Sequence, residues 1–111
     1  MTKPEELDYH IDGRQLIAET DNLRVQILTL EAGEEIPFHY HTEVSDTFIC
    51  IEGELTVSTQ SPNSTQHLKV SESLKIPPKV IHKVLGRKGN YCKFVIVQGV
   101  GKHDYFPVDG E

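Results

Sequence analysis

Pro37-Phe38-His39-Tyr40-His41-Thr42-Glu43-Val44-Ser45-Asp46 is the stretch on which the reading of this chain turns. Residues i and i+2 of an extended strand point to one face, roughly 7 Å apart at Cα. His39 and His41 then present two imidazoles side by side, able to turn onto one ion at about 2.0 Å. A turn over residues 42–45 brings Asp46 toward the same cavity. A third imidazole follows in Lys75-Ile76-Pro77-Pro78-Lys79-Val80-Ile81-His82. Single histidines are ordinarily surface or satisfied core residues. Here spacing and strand phase agree for a set of four, so His39, His41, Asp46 and His82 are read as ligands of one divalent transition metal ion. His10, His67 and His103 fall outside the set and are read as ordinary polar positions.

Outward from this stretch, period-two patterns and β-branched runs recur between turn signals, with little helical periodicity. They predict strands at 15–19, 24–30, 35–39, 46–52, 54–60, 66–70, 73–76, 81–86 and 91–97. Gly53 is expected to turn a tight hairpin, since glycine admits positive φ. Residues 61–65 break the next pair, and 86–90 turn the last hairpin. So many short strands point to an all-β sandwich or barrel and not to a βαβ fold. With His39 and His41 inward, Tyr40 faces away and Phe38 packs behind the site. Phe48 and Cys50 share the Asp46 face and Val84 that of His82, so these three are expected to line the cavity. Thr47, Ile49 and Ile51 lie on the other side. Cys92, Phe94 and Ile96 alternate with Lys93, Val95 and Val97, and both sets carry apolar area. A strand apolar on both faces needs two covers. A homodimer is expected to supply the second, a further sheet from this chain's own N-terminus being the alternative.

A chain of 111 residues is one domain, large enough for a core and small enough to gain from association. It divides into a polar N-terminal segment (1–13), a β domain (14–98) and a C-terminal tail (99–111). The tail opens with a turn at Gly99–Lys102, and its Asp104-Tyr105-Phe106-Pro107 segment is expected to cover a sheet edge or swap onto a partner. The net charge of −6 offers no basic stripe for phosphate contacts, which argues against nucleic acid. Lys75, Lys79, Lys83, Arg87 and Lys88 cluster modestly and read as a solvated strand edge and turn. No apolar run reaches about 18 residues and no basic-then-apolar leader is present, so neither a membrane span nor a signal peptide is expected. Cys50 and Cys92 lie in apolar runs and read as free buried thiols, which suits a reducing cytoplasm; one disulfide is the alternative.

The spacing resembles that of the cupin superfamily, small single-domain members. That family's first motif runs glycine, five residues, His-x-His, three or four residues, Glu, six residues, glycine. Gly33, His39, His41, Asp46 and Gly53 stand at those positions, with Asp46 in place of Glu. The second motif runs glycine, five residues, Pro-x-Gly, two residues, His, three residues, Asn. Here Ser71, Pro77, Lys79, His82 and Gly86 occupy it, and only the proline and the histidine match. The resemblance covers roughly residues 24–97. It implies an all-β cupin-type double-stranded β-helix, a jelly-roll barrel with an open-ended cavity, often dimeric. It also implies His39, His41 and His82 as metal ligands, with Asp46 where the carboxylate ligand stands. Aspartate is one methylene shorter than glutamate, so Asp46 either binds directly or holds a water or imidazole beside the ion.

Three histidines and a carboxylate suit iron, manganese, nickel, copper or zinc. Iron with open positions suits oxidation by O₂; zinc or manganese suits isomerase or lyase chemistry through an enolate. The expected function is a metal-dependent enzyme, an oxygenase or isomerase, acting on a small organic molecule. The alternative is a non-catalytic binding or sensory domain that holds a small carboxylate or sugar-like ligand. No nucleophile–base pair, phosphate loop or Cys-x-x-Cys pair competes with these readings.

Overall fold

Strand follows strand across two layers in the computed structural model, which describes residues 13–108. Of the expected N-terminal segment only Gly13 falls within that range, and His10 lies outside it. The strands are β1 (Gly13–Thr20), β2 (Leu23–Leu30), β3 (Glu35–Tyr40), β4 (Ser45–Gly53), β5 (Leu55–Gln60), β6 (Ser64–Leu68), β7 (Ser73–Ile76), β8 (Ile81–Gly86), β9 (Cys92–Gly99) and β10 (Phe106–Pro107). Every strand expected from the sequence forms, and β10 is additional. They pair antiparallel into two five-stranded sheets, ordered β1-β2-β9-β4-β7 and β10-β3-β8-β5-β6. From β2 onward the chain crosses repeatedly between the sheets, the wiring of a jelly-roll arrangement.

Two expected hairpins are therefore corrected. β4 and β5 lie in different sheets, as do β8 and β9, so the bends at Gly53 and at residues 86–90 are crossovers. Gly53 has φ of 69°, and a Cβ there would stand 2.5 Å from the Tyr91 carbonyl oxygen. A turn glycine is needed as expected, but what it permits is close passage against the start of β9, its neighbour in the same sheet. Local sequence carries the bend, whereas the partner strand is chosen by which apolar face must be covered. The turn at residues 61–63 does close a true hairpin, β5 with β6.

Alternation places Leu28 and Leu30 of β2, Phe48 of β4, Val57 of β5, Val84 of β8 and Phe94 of β9 in the core between the sheets. Phe48 and Phe94 meet edge to face, centroids 5.7 Å apart at 61°, the preferred geometry for aromatic quadrupoles. In β3 the period breaks. Ile36 and His39 both point inward although they are three apart, because the β3–β8 register shifts between them. Pro37, which has no N–H to give the ladder, sits in that irregularity. Cys50 and Cys92 are free and buried, and burial pushes the Cys92 thiol up to about 12, which leaves it unreactive.

The outer face of the first sheet is also apolar. Ile27, Val95 and Ile49 form one cross-strand row, and Val25 and Val97 the next. At the sheet edge Leu16 and Ile17 of β1 are 56% and 50% exposed.

Candidate metal centre

The two sheets contribute different chemistry to one end of the interior. His39 on β3 is directly opposite His82 on β8, so the second sheet supplies two imidazoles by register alone. His41 follows just past the end of β3 and returns to the same face. Asp46, on β4 of the first sheet, comes from across the gap. All four are buried.

Asp46 Oδ2 lies 2.8 Å from His82 Nε2, 3.1 Å from His41 Nε2 and 4.0 Å from His39 Nε2. The four ligand atoms all stand within 4.8 Å of one another. Ligands held at about 2.0–2.1 Å around one ion are about 3–4 Å apart. The cluster is suited to hold a single divalent metal ion. The shorter aspartate still reaches.

The hydrogen bonds behind the rings settle which nitrogen faces inward. His39 Nδ1–H donates to the Pro37 carbonyl at 2.7 Å, His82 Nδ1–H to the Val80 carbonyl at 2.8 Å, and His41 Nδ1–H to the Asp104 carbonyl at 2.5 Å. A carbonyl can only accept, so each Nδ1 carries its proton and Nε2 is the nitrogen left facing inward, able to donate to Asp46 when protonated or to ligate an ion when not. Gln98 Nε2 donates to Asp46 Oδ1 at 3.1 Å, which aims Oδ2 at the imidazoles. A carboxylate and three ring nitrogens in one buried space call for positive charge among them, from ring protons or from a cation. This donor chemistry fits a metal ion, and the backbone carbonyls supply the outer support such ligands use.

The electrostatics agree. Burial, helped by the neighbouring His82 ring, pulls His39 down to about 3, so its ring is neutral at physiological pH. Burial works against a charge on His41 too, but its hydrogen bond to Asp46 outweighs that and raises its pKa. Burial would raise Asp46; the bonds to His41 and His82 instead hold it well below the usual carboxylate range. Without an ion, protons gather where the positive charge is wanted.

A small cavity adjoins the cluster, where the space that water centres can reach is about 40 Å³, on the order of three waters. Phe48 and Val84 line it as expected, beside His39, His41 and Asp46. Cys50 does not. It sits deeper in the core, its thiol directed at the Glu52 and Gly53 carbonyls, because the cavity occupies only one end of the interior. Tyr40 and Phe38 face outward: Tyr40 stacks on Phe106 at 5.2 Å, and Lys83 Nζ lies 5.0 Å above the Phe38 ring.

Sequence reasoning missed the rest of the wall. Gln98 continues the β9 alternation two residues past Ile96, so its phase was a usable signal. His103, read as an ordinary polar position, is 5% exposed and lines the cavity. Tyr105 stacks on His39 at 4.9 Å. Both lie in the tail, whose route over the site follows from long-range contacts. β10 pairs with β3 of the same chain, and Thr42 donates its N–H at 2.9 Å and its hydroxyl to the Asp104 carboxylate. The tail covers a sheet edge, as expected, and also closes the site.

Residues 26–98 match the cupin domain family, and this chain belongs to it. A search of curated proteins found no match. Among solved structures, a protein with a double-stranded β-helix domain from Klebsiella pneumoniae is similar at a TM-score of 0.75 and 22% identity, over 99% of this chain and 97% of that one. A protein from Shewanella frigidimarina containing a cupin-2 domain is 27% identical over 84% of both chains, with a TM-score of 0.63. An oxalate oxidase is similar at a TM-score of 0.68 and 15% identity, over 78% of this chain and 46% of that one. Among the described residues no helix is long and apolar enough to cross a membrane.

Proposed function

We propose that this cupin is a metal-dependent enzyme of the oxygenase or isomerase class, acting on a small organic molecule in the cavity beside His39, His41, Asp46 and His82. One observation carries the reading: three Nε2 atoms and Asp46 Oδ2 converge in a space bordered by a small cavity. A bound ion would act as a Lewis acid toward an oxygen of the substrate, or hold it next to O₂. The chain's own part is to keep His39 neutral, to lock Nδ1 of each ring on a carbonyl, and to exclude water through Tyr105 and Phe48. We read the two sheets as walls of one open-ended barrel, the chain as cytoplasmic, and the apolar outer face of the first sheet as a homodimer contact.

The test is elemental analysis by inductively coupled plasma mass spectrometry on tag-free, natively purified protein beside His82→Ala. About one equivalent of iron, manganese, nickel, copper or zinc is expected, lost in the variant. The metal found then selects the reaction to assay. Protein that holds no metal and retains none when it is added would sink the enzyme reading. A second reading, a non-catalytic binding or sensory domain, is favoured by Tyr105 lying over His39, which leaves little room for reactants. Ligand binding without turnover in the metal-loaded protein would establish it.

A further inference from the structure

The cavity beside the metal cluster also carries a set of side chains that the metal does not require. Arg14 of β1 and Arg24 of β2 both line it, as does His103 from the tail. The Arg24 side chain is only 13% exposed, and Glu19 accepts from its Nε at 3.1 Å, which fixes the guanidinium. His103 is almost wholly buried, and its Nε2 has no hydrogen-bond partner among the described residues. A buried polar atom left without a partner costs free energy, and its place on a cavity wall gives a ligand the means to satisfy it.

Charge points the same way. Arg14 and Arg24 are balanced on the cavity wall by Asp46 and Asp104, and Asp104 is already engaged by Thr42. Glu19 on Arg24 adds a further negative charge, and a divalent ion in the cluster would add two positive charges beside the arginines. In a molecule of net charge −6, this concentrates attraction for an anion in one place. Much of the remaining wall is carbon, with Leu28, Phe48 and Ile96, and Gln26 and Gln98 add amides to it. A ligand with a charged oxygen pair at one end and a short carbon body fits such a wall better than an inorganic oxyanion does.

We propose that the cavity takes a small organic carboxylate, its carboxylate held by Arg14 and Arg24 and a further polar atom met by His103. Guanidinium forks match a carboxylate with two parallel N–H bonds, so the arginines select for the charged, planar end. This deepens the functional reading above, since it names the substrate class of that site, and it rests on the cavity being the ligand site. Only about 40 Å³ is open to water centres, so the ligand is of glycolate size unless residues 99–107 move.

The test uses full-length, zinc-loaded protein titrated with glycolate and with glycolamide, which has the same shape and no charge, and is followed by ¹⁵N-edited NMR. Metal content is measured on every sample. Glycolate is expected to saturate, shifting the Arg24 Nε–H and the Tyr105 amide, and glycolamide to bind at least about tenfold more weakly. Arg14→Gln and Arg24→Gln should each weaken glycolate about tenfold with zinc content unchanged, while Lys88→Gln, on a separate surface, leaves it within about twofold. Glycolamide binding as well as glycolate on the unaltered protein overturns the proposal without any variant having to fold. So does an absence of saturable glycolate binding with zinc in place, or arginine variants that bind normally. Inorganic phosphate binding more tightly than glycolate with the same arginine dependence also overturns it, in favour of an oxyanion site. If zinc is not held at all, the metal-dependent reading fails separately, and the ratio of glycolate to glycolamide in metal-free protein still judges the arginine anchor.

Discussion

Ser71 and Lys79 hold φ values of 75° and 71°, a region that costs a residue with a Cβ roughly 1–2 kcal/mol. They stand where glycines stand in the second cupin motif. Gly33 and Gly53, in the first motif, are also at positive φ, 87° and 69°. The backbone thus keeps the conformation at all four motif positions while two residues do not match. Lys79 tolerates it because its N–H donates to the His41 carbonyl at 2.7 Å, tying the turn before His82 to the neighbouring metal ligand. Lys79→Gly is expected to raise stability by about 1 kcal/mol, read as a higher urea midpoint with unchanged slope. A lower midpoint would mean that the lysine side chain contributes more than its backbone costs. This is also why the second motif was faint in the sequence. The spacing from Pro77 to His82 was legible, but positive φ leaves no mark on a residue that is not glycine. The first motif was plain because chemistry, and not only backbone shape, names its residues: two histidines in strand phase and a carboxylate after a turn.

At the scale of elements, strand existence was readable and strand partnership was not. Alternation in β4 and β8 placed Phe48 and Val84 inward, as they are found, and in β9 it separated the two faces without choosing between them, because period two survives whichever strand lies alongside. The crossovers at Gly53 and at residues 86–90 resembled hairpins because a turn glycine looks the same in both. The tail was the least legible element. Its closure of the site depends on Asp104, which accepts from Thr42 through its carboxylate and from His41 through its carbonyl. Asp104→Ala removes the side-chain anchor and leaves the backbone acceptor in place. It is expected to weaken metal retention about tenfold through loss of His41 orientation, measured by competition with a chelator, and to cost about 1–2 kcal/mol of stability. Unchanged chelator competition would show that β10 alone seats the tail.

For the molecule as a whole, the unresolved demand of the sequence was a second cover for β9, and the fold sharpens it. The N-terminal strand β1 joins the edge of the first sheet instead of layering over it, so within the described residues the face of Ile27, Ile49, Val95 and Val97 is not covered by another sheet. A homodimer through this face is expected in sedimentation equilibrium, and Val95→Glu should convert it to monomer while keeping the metal. A wild-type monomer at micromolar concentration would refute the dimer. The alternation of the chain between sheets has one more consequence. His82 meets Asp46 across 36 residues of sequence, Gln98 meets it across 52, and His41 meets the Asp104 carbonyl across 63. Contacts of such range close late in folding, because their loop entropy must be overcome before they contribute anything. A partly folded chain therefore has the His39–His41 pair but no complete cage, and an ion bound there would be a seal on the finished molecule, taken up only when both sheets have met.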